Sequence, residues 1–205
     1  MKYILIYLLI SAFNALVVFL LITFIREGFY RIHKPLRPHS SKYLITSSNH
    51  IEIQGFNQCA GFSSAYLMRH YGKDVTGDMI YKNMPHLDNG TILPKHVVRL
   101  LRNEGFDAGY FRGSIDTLKA LVEKGDPVIV FIRSSLDSDI LHFVNVVGFD
   151  DENIFIVDSL ENNINEPSEH YNRKVSLADF RKIWNTSRTI MPLHRNTFIK
   201  AEVKP

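Results

Sequence analysis

The chain has 205 residues, of which 45% are apolar and 22% charged, with 24 basic and 21 acidic residues and a formal net charge of +3. Six basic residues but only one acidic residue lie in residues 1 to 45, so the positive balance belongs to the amino-terminal segment and argues against a nucleic-acid-binding domain. The single cysteine, Cys59, excludes an internal disulfide and a cysteine-rich zinc site.

The amino-terminal segment is strongly apolar. Residues 3–25, "YILIYLLISAFNALVVFLLITFI", contain no charged side chain. At about 1.5 Å per helical residue this run is long enough to cross a hydrocarbon core of about 30 Å. A cleaved signal peptide is the alternative, but it requires a shorter apolar region, a basic start and a small-residue cleavage site. The pattern therefore predicts an uncleaved, single-pass transmembrane anchor over residues 1–25.

Residues 26–45 combine basic side chains with two prolines and a pair of serines, which predicts a basic juxtamembrane linker without regular structure. Five Lys or Arg residues follow the apolar run, whereas Lys2 alone precedes it. Because basic residues favour the cytoplasmic side of a span, this asymmetry predicts a cytoplasmic domain. An extracytoplasmic domain is the alternative.

Residues 46–205 have the size of one domain with a substantial core. Helical spacing of apolar residues, with start and stop signals, predicts helices over residues 60–71, 76–82, 94–104, 114–123 and 176–184. Runs rich in Val, Ile and Phe predict strands over residues 127–132, 142–149 and 153–159, with another near residues 189–193. "GFDDEN" predicts a hairpin between two of these strands. Helices followed by an antiparallel sheet indicate an α+β fold.

Three residues suit nucleophilic catalysis. Cys59 precedes a predicted helix, whose amino terminus lowers the pKa of a thiol. His142 begins a predicted strand and could act as the base, and Asp158 ends the next strand and could orient the imidazole. Counted from the hairpin turn, His142 and Asp158 are near cross-strand neighbours. A cysteine in an apolar helix is, by itself, more often an inert core residue.

Acyl transfer also requires hydrogen-bond donors to the oxyanion. The side-chain amide of Gln54, with the backbone N–H of Cys59, is the predicted donor pair. Gln58 is the alternative, although it stands directly beside the nucleophile. The histidines show no spacing typical of metal ligands, so we predict neither a metal site nor a cofactor.

An ordered set of segments resembles the bacteriocin-processing, double-glycine-leader peptidase family of papain-like cysteine peptidases, in its stand-alone form. The segments are "CAGFSSAYLMRHYG", "GTILPKHVVRLLRNEGF", "LVEKGDPVIVFI", "HFVNVVGFDDENIFIVDS" and "YNRKVSLADFRKIW". The resemblance implies Cys59 as nucleophile, His142 as general base and acid, Asp158 as its orienting group and Gln54 in the oxyanion hole. In the family the glutamine usually stands six places before the cysteine, whereas Gln54 stands five places before Cys59.

The sequence thus predicts a membrane-anchored papain-like cysteine peptidase that cleaves a peptide or protein substrate through a thioester intermediate. The resemblance implies cleavage after small residues. Neither several spans nor a Walker-type phosphate loop is present, so a separate exporter is the expected partner for any exported product. A peptidase-like domain that binds a peptide without cutting it is the alternative function, and acyl transfer to an amine is a third.

Overall fold

The computed structural model describes residues 2–27, 29–188 and 194–204, with the side chains of residue 2 and residues 23–27 left out of the description. The predicted strand near residues 189–193 lies outside the described residues. The described helices are α1 (Lys2–Glu27), α2 (Cys59–His70), α3 (Gly77–Lys82), α4 (Pro94–Asn103), α5 (Ile115–Val122) and α6 (Leu177–Trp184). The described strands are β1 (Arg31–Ile32), β2 (Tyr43–Leu44), β3 (Phe106–Arg112), β4 (Val128–Arg133), β5 (Leu141–Phe149), β6 (Asn153–Val157), β7 (Arg173–Ser176) and β8 (Thr197–Val203).

All eight described strands belong to one sheet, in the order β1-β3-β8-β4-β5-β6-β7, with β2 paired to β5. The β1–β3 pair is parallel and the other pairs are antiparallel. The α+β prediction is confirmed, and so is the antiparallel β5–β6 hairpin. The predicted order, in which helices fill the first half of the domain and strands follow, is wrong in one detail: the strand β3 lies between the helices α4 and α5.

Helices cover both faces of the sheet. Successive strand side chains point to opposite faces. In β4, Ile129 and Phe131 pack in a core with α2, α3 and α4. Val128, Val130 and Ile132 of the same strand pack in a second core with α5 and α6. Burial on both faces explains why β4 reads as an unbroken apolar run, "VIVFI", rather than an alternating one.

Local signals set the helix starts. The side chains of Thr76, Ser114 and Ser176 each accept a hydrogen bond from the backbone N–H three residues later, and each is the amino-terminal cap of its helix. Pro94 is the first residue of α4, where its missing N–H costs nothing. The predicted helix bounds therefore agree with the observed ones to within one or two residues.

The amino-terminal helix α1 contains the segment Tyr3–Ile22, which is long and apolar enough to cross a membrane. None of that segment is buried against the rest of the protein. A helix exposed all round with apolar side chains is unfavourable in water, so a lipid environment suits it better than a core position.

The segment predicted as a linker without regular structure contains two short strands. Arg31 pairs with Phe111 of β3, and Tyr43 pairs with Phe149 of β5. Farther along, the backbone N–H groups of His39 and Ser40 donate to the carboxylate of Glu123 at 2.8 and 2.6 Å. Composition suggested a linker because the stretch is basic and proline-containing, but its backbone adds to two strands already in place.

We therefore expect the folded unit to begin before residue 46. A chain shortened to residues 46–205 should unfold at a lower urea concentration than one shortened to residues 29–205. We expect its free energy of unfolding to be lower by about 3 kcal/mol. The shorter chain loses the pairing of β1 and β2, the buried Ile45, and the packing of Leu36 and Leu44 on the core. Urea unfolding followed by circular dichroism measures the difference. Coincident unfolding curves would place residues 29–45 outside the folded unit.

Candidate active site

The cysteine lies at the first position of a buried helix. Cys59 begins α2, has a free, half-buried side chain, and follows the cap residue Gln58. The N–H groups at a helix start have no partner within the helix and carry partial positive charge. Asn57, just before the cap, adopts a left-handed conformation (φ 58°) that asparagine tolerates well, and its side chain donates to the carbonyl of Asn89 at 2.8 Å.

The structure brings His142 to this helix start. His142 lies on β5 and is 1% exposed. Its imidazole hydrogen-bonds through Nε2 to Oδ1 of Asp158 at 2.6 Å, and the nearby Cys59 side chain raises the pKa of the ring. Asn145 pairs with Val157, so His142 and Asp158 are offset along the hairpin rather than directly opposite, and a bulge in β5 shifts the register. The contact is made diagonally by the two side chains.

Asp158 is fully buried and receives hydrogen bonds from four donors. Oδ1 accepts from His142 and from the backbone N–H of Leu160 at 2.8 Å. Oδ2 accepts from Nη1 of Arg173 at 2.7 Å and from the amide of Asn163 at 3.0 Å. These contacts leave the carboxylate one orientation. Arg173 and Asn163 are site residues that the sequence analysis missed.

The backbone around Asp158 is held as firmly as its side chain. Asn172 accepts from the Asp158 N–H at 2.8 Å and donates to the Asp158 carbonyl at 2.7 Å. Arg173, on β7, also donates to the carbonyl of Ser134 at 2.9 Å. The "YNRKV" segment, which the resemblance included only as a block, therefore fixes the position of the carboxylate next to the histidine.

The electrostatics favour a charged His142–Asp158 pair. Burial is the largest single influence on His142 and lowers its pKa, but the Asp158 carboxylate and the Cys59 sulfur outweigh burial and raise the pKa to about 9. Burial likewise raises the pKa of Asp158, but His142, the Leu160 N–H and Arg173 outweigh it and lower the pKa to about 2. Both directions favour the charged forms, an imidazolium next to a carboxylate.

Two polar contacts fix α2 against β5. Oγ of Ser63 donates to the Phe143 carbonyl at 2.8 Å, and the Asn145 amide donates to the Ser63 carbonyl at 3.1 Å. Both contacts are buried, where hydrogen bonds are costly to lose. Because Ser63 is one helical turn from Cys59 and Phe143 follows His142, these contacts set the distance between the cysteine and the histidine.

The two glutamines before Cys59 are both held by other groups. Oε1 of Gln54 accepts from the Ser159 hydroxyl at 2.6 Å, and Nε2 donates to the Gly55 carbonyl at 3.1 Å. Oε1 of Gln58 accepts from the Gly55 N–H at 2.7 Å, while Nε2 donates to Asp78 at 3.1 Å. Gln54 is thus linked to the residue that follows Asp158, whereas Gln58 is turned toward α3.

A partly buried ion pair that the sequence analysis missed holds the loop before Cys59. Arg69, in the last turn of α2, pairs with Glu52 at 2.5 Å and donates to the carbonyls of His50 and Val75 at 3.0 Å each. Glu52 in turn accepts from the Gly77 N–H that begins α3. The loop carrying Gln54 is therefore fastened to the same helix that carries Cys59.

Comparisons with known proteins identify the family and the fold. The profile of the Peptidase C39 like family matches residues 45–191. No curated protein matches the sequence. Among solved structures, the chain is similar to a double glycine motif protease from an AMS/PCAT transporter in complex with the leader peptide, with a TM-score of 0.55 and 17% identity over 78% of this chain and 98% of that one.

Two further structures share the fold. The peptidase domain of Streptococcus ComA, a bifunctional ABC transporter involved in a quorum sensing pathway, has a TM-score of 0.59 and 14% identity over 77% of this chain and 99% of that one. Xylellain, a cysteine protease from Xylella fastidiosa, has a TM-score of 0.54 and 14% identity over 88% of this chain and 93% of that one. The resemblance to double-glycine-leader peptidases and to the papain-like fold is confirmed. The family match spans most of the chain, and the chain therefore belongs to the Peptidase C39-like family of cysteine peptidases.

Proposed function

We propose that the chain is a single-pass, membrane-anchored cysteine peptidase that hydrolyses a peptide bond with Cys59, His142 and Asp158. One observation carries the proposal: a single buried imidazole lies near the only cysteine, whose side chain raises the pKa of the ring, and hydrogen-bonds at 2.6 Å to a buried carboxylate. A nucleophile, a base and an orienting group in this order form the arrangement that thiol acyl transfer requires.

In the proposed reaction the Cys59 thiolate attacks the peptide carbonyl carbon, and the electron pair of the C=O bond moves to the oxygen. When the C–N bond breaks, the His142 imidazolium gives its proton to the leaving amine. The neutral imidazole then takes a proton from water, whose oxygen attacks the thioester. Collapse of the second tetrahedral intermediate releases the carboxylic acid and returns the sulfur and imidazolium to their starting state.

For the oxyanion we propose the Cys59 backbone N–H and the side-chain amide of Gln54. The contact between Gln54 and Ser159 supports this choice, because it ties the amide to the strand end that carries Asp158. Both amides have acceptors, but the Gln58 amide donates to a carboxylate, Asp78 on α3, whereas the Gln54 amide donates to the neutral Gly55 carbonyl, which makes Gln58 the less suitable of the two. Gln54→Ala is the variant that removes the proposed donor.

We propose a peptide or protein substrate with an apolar segment near the scissile bond. Large apolar side chains close in sequence to both site residues are exposed: Phe56, three residues before Cys59, is 88% exposed and Ile140, two residues before His142, is 68% exposed. Exposed apolar side chains near a candidate active site suit binding of a peptide with apolar residues. Since similar domains belong to ABC transporters, a separate exporter is the partner that we propose for a released product.

We propose that α1 anchors the chain with the domain on the cytoplasmic side, on the basis of the basic residues that follow the apolar run. Retention of the full chain in membranes washed with alkaline carbonate tests the anchor. A reporter fused to the carboxyl terminus tests the side, and activity of a periplasm- or exterior-specific reporter would contradict the cytoplasmic assignment.

The rate of thiol labelling tests the enzymatic proposal without knowledge of the substrate. Because Cys59 is the only cysteine, iodoacetamide reports on that sulfur alone. At pH 6 an ordinary thiol is less than about 1% ionised, so an activated Cys59 thiolate should react on the order of 100-fold faster in the folded chain than in the same chain unfolded in urea. Mass spectrometry measures both rates.

Equal labelling rates in the folded and unfolded chain would favour the alternative, a peptidase-like domain that binds peptides without cutting them. If labelling is fast, a labelled amine added with substrate separates hydrolysis from acyl transfer. Incorporation of the amine into the acyl product would mean that water is not the principal acceptor.

A further inference from the structure

A basic groove lies next to the end of the proposed anchor, away from the residues described above. It has a volume of about 590 Å³ and is formed between the β1–β3 edge of the sheet and α4. The aromatic side chains of Phe29 and Tyr110 line the groove. Four basic residues also line it: Arg31, Lys95, Arg99 and Arg102. A site with this composition suits an anionic ligand that has an apolar portion.

The basic residues of α4 form a stripe on one face of the helix. Lys95, Arg99 and Arg102 are spaced four and three residues apart, opposite the buried Val97 and Leu101. Arg102 also donates through Nε to the Ala108 carbonyl at 2.7 Å, but like charges at this spacing repel one another, so helix stability does not account for Lys95 and Arg99. His96 reports the same positive potential: burial lowers its pKa most, and the charges of Lys95 and Arg99 lower it further.

The groove lies close to the membrane if α1 spans it. The apolar run ends at Ile25, and Phe29, which lines the groove, is only four residues later. Even a fully extended chain covers no more than about 14 Å over four residues. The interfacial zone on each side of a hydrocarbon core of about 30 Å is about 5–8 Å thick, so the groove would lie within this zone or just beyond it.

Exposed apolar side chains stand beside the basic ones. Phe29 is 68% exposed and Ile32, next to Arg31 in β1, is 81% exposed. Adjacent apolar and basic side chains are typical of surfaces that lie in the lipid interface. The pairing of β1 with β3, extended by a 2.9 Å hydrogen bond from the His33 N–H to the Arg112 carbonyl, holds these residues at the sheet edge.

We propose that this groove binds the phosphate headgroup of an anionic phospholipid and so seats the domain on the membrane surface. The Arg31, Arg99 and Arg102 guanidinium groups and the Lys95 ammonium group surround the phosphate, and Phe29 and Ile32 contact the upper acyl chains. The proposal rests on α1 being a membrane anchor, but it does not depend on catalysis.

Hydrogen–deuterium exchange of the full chain in nanodiscs tests the proposal. Exchange over residues 94–103 is compared in discs of phosphatidylcholine alone and discs containing phosphatidylglycerol, with residues 153–157 of β6, which none of the variants changes, as the internal reference. Each surface Lys or Arg near an anionic leaflet contributes about a factor of five, so we expect exchange over 94–103 to slow on the order of tenfold in the anionic discs.

Arg31→Glu/Arg99→Glu, which reverses one charge on each wall of the groove, should abolish the slowing, and Arg31→Gln/Arg99→Gln should reduce it. The matched control, Arg181→Glu/Lys182→Glu, changes net charge equally at exposed positions on α6 and should keep it. No slowing in the unaltered chain, or equal loss in both charge-reversed variants, would overturn the proposal. Equal slowing by inorganic phosphate with phosphatidylcholine discs would also overturn it, because the groove would then bind free anions rather than lipid.

Failure of this test is distinct from failure of the proposed function. Carbonate extraction reports on the anchor and thiol labelling reports on Cys59, and neither depends on the groove. A chain that is retained in membranes and labels rapidly, but shows no lipid-dependent exchange, would lose only the headgroup site.

Discussion

Replacing Cys59 by alanine should abolish peptide cleavage, by at least about 10⁴-fold, while the domain remains folded. The sulfur is the proposed nucleophile, and no second thiol in the chain can replace it. The side chain is small and only half-buried, so its loss should change the free energy of unfolding by no more than about 1 kcal/mol. Mass-spectrometric detection of new termini in a peptide library measures cleavage, and thermal unfolding measures stability.

Cys59→Ser is the matched control, because it keeps the shape of the side chain and replaces the sulfur with a weaker nucleophile. It should be nearly as inactive as the alanine variant and equally stable. Turnover retained in Cys59→Ala at the level of the unaltered chain would remove Cys59 from the reaction. A cooperative unfolding transition lost in both variants would mean instead that the residue is structural.

The Asp158→Asn variant should lose both activity and stability. An asparagine of the same shape cannot stabilise the imidazolium or hold its tautomer, and the corresponding change in a serine-protease triad costs about 10⁴-fold. Arg173 would keep its buried position without the carboxylate at 2.7 Å, and leaving one member of a buried ion pair unpaired costs about 3–5 kcal/mol. Urea unfolding and the peptide-library assay measure the two effects.

Asp137→Asn is the control for this variant, because it removes one carboxylate at an exposed position in the loop before β5. It should unfold within about 0.5 kcal/mol of the unaltered chain. If Asp158→Asn cleaved peptides at the unaltered rate, the carboxylate would have no part in orienting His142, even if the variant were less stable.

The same pair predicts how stability depends on pH. The fold raises the pKa of His142 from 6.5 to about 9, so its protonated form stabilises the native state fully below pH 6.5, and this contribution is lost as pH rises from 6.5 to 9. The fold lowers the pKa of Asp158 from 3.8 to about 2, so that contribution is present above pH 3.8 and is lost as pH falls toward 2. Both contributions are complete only between about pH 4 and 6.5. In Asp158→Asn the loss of stability between pH 6.5 and 9 should disappear, and an unchanged slope would contradict the assignment.

The sequence predicted those elements that carry their own local signals. Helices α3, α5 and α6 each begin at a capping hydroxyl, and α4 begins at a proline, so their starts could be read directly. The strands β4, β5 and β6 are dense in β-branched and aromatic residues because both of their faces are buried. Local sequence signals were therefore sufficient to predict the capped helices and the strands that are buried on both faces.

The missed strands depend on partners far away in the sequence. β3 contains Asp107 and Gly109, which weaken a strand pattern, and it pairs with β8 about 90 residues later. β8 reads "TFIKAEV" and mixes polar with apolar residues. β1 and β2 have two residues each, too few for any period to be visible. Tertiary pairing, rather than propensity, creates these elements.

The candidate site shows the same division. Cys59, His142 and Asp158 could be proposed from the start of a helix, a strand and a hairpin count, although the histidine–carboxylate contact is diagonal rather than directly cross-strand. Arg173 and Asn172 could not be found in this way, because arginine and asparagine in a polar segment usually face solvent. Their role appears only when β7 pairs with β6 and places them against the buried carboxylate. The catalytic role of Cys59, His142 and Asp158 remains a prediction until the variants are measured.

If α1 is the proposed anchor, the short strand β1 limits how far the domain could lie from the membrane. Only three residues separate Glu27 from the backbone pairing at Arg31, and even a fully extended chain covers no more than about 14 Å from Glu27 to Arg31. A polypeptide would then have to present its scissile bond near the lipid surface. Substrates that emerge from, or are themselves held at, the same bilayer would meet that requirement at a high local concentration, whereas freely diffusing ones would not.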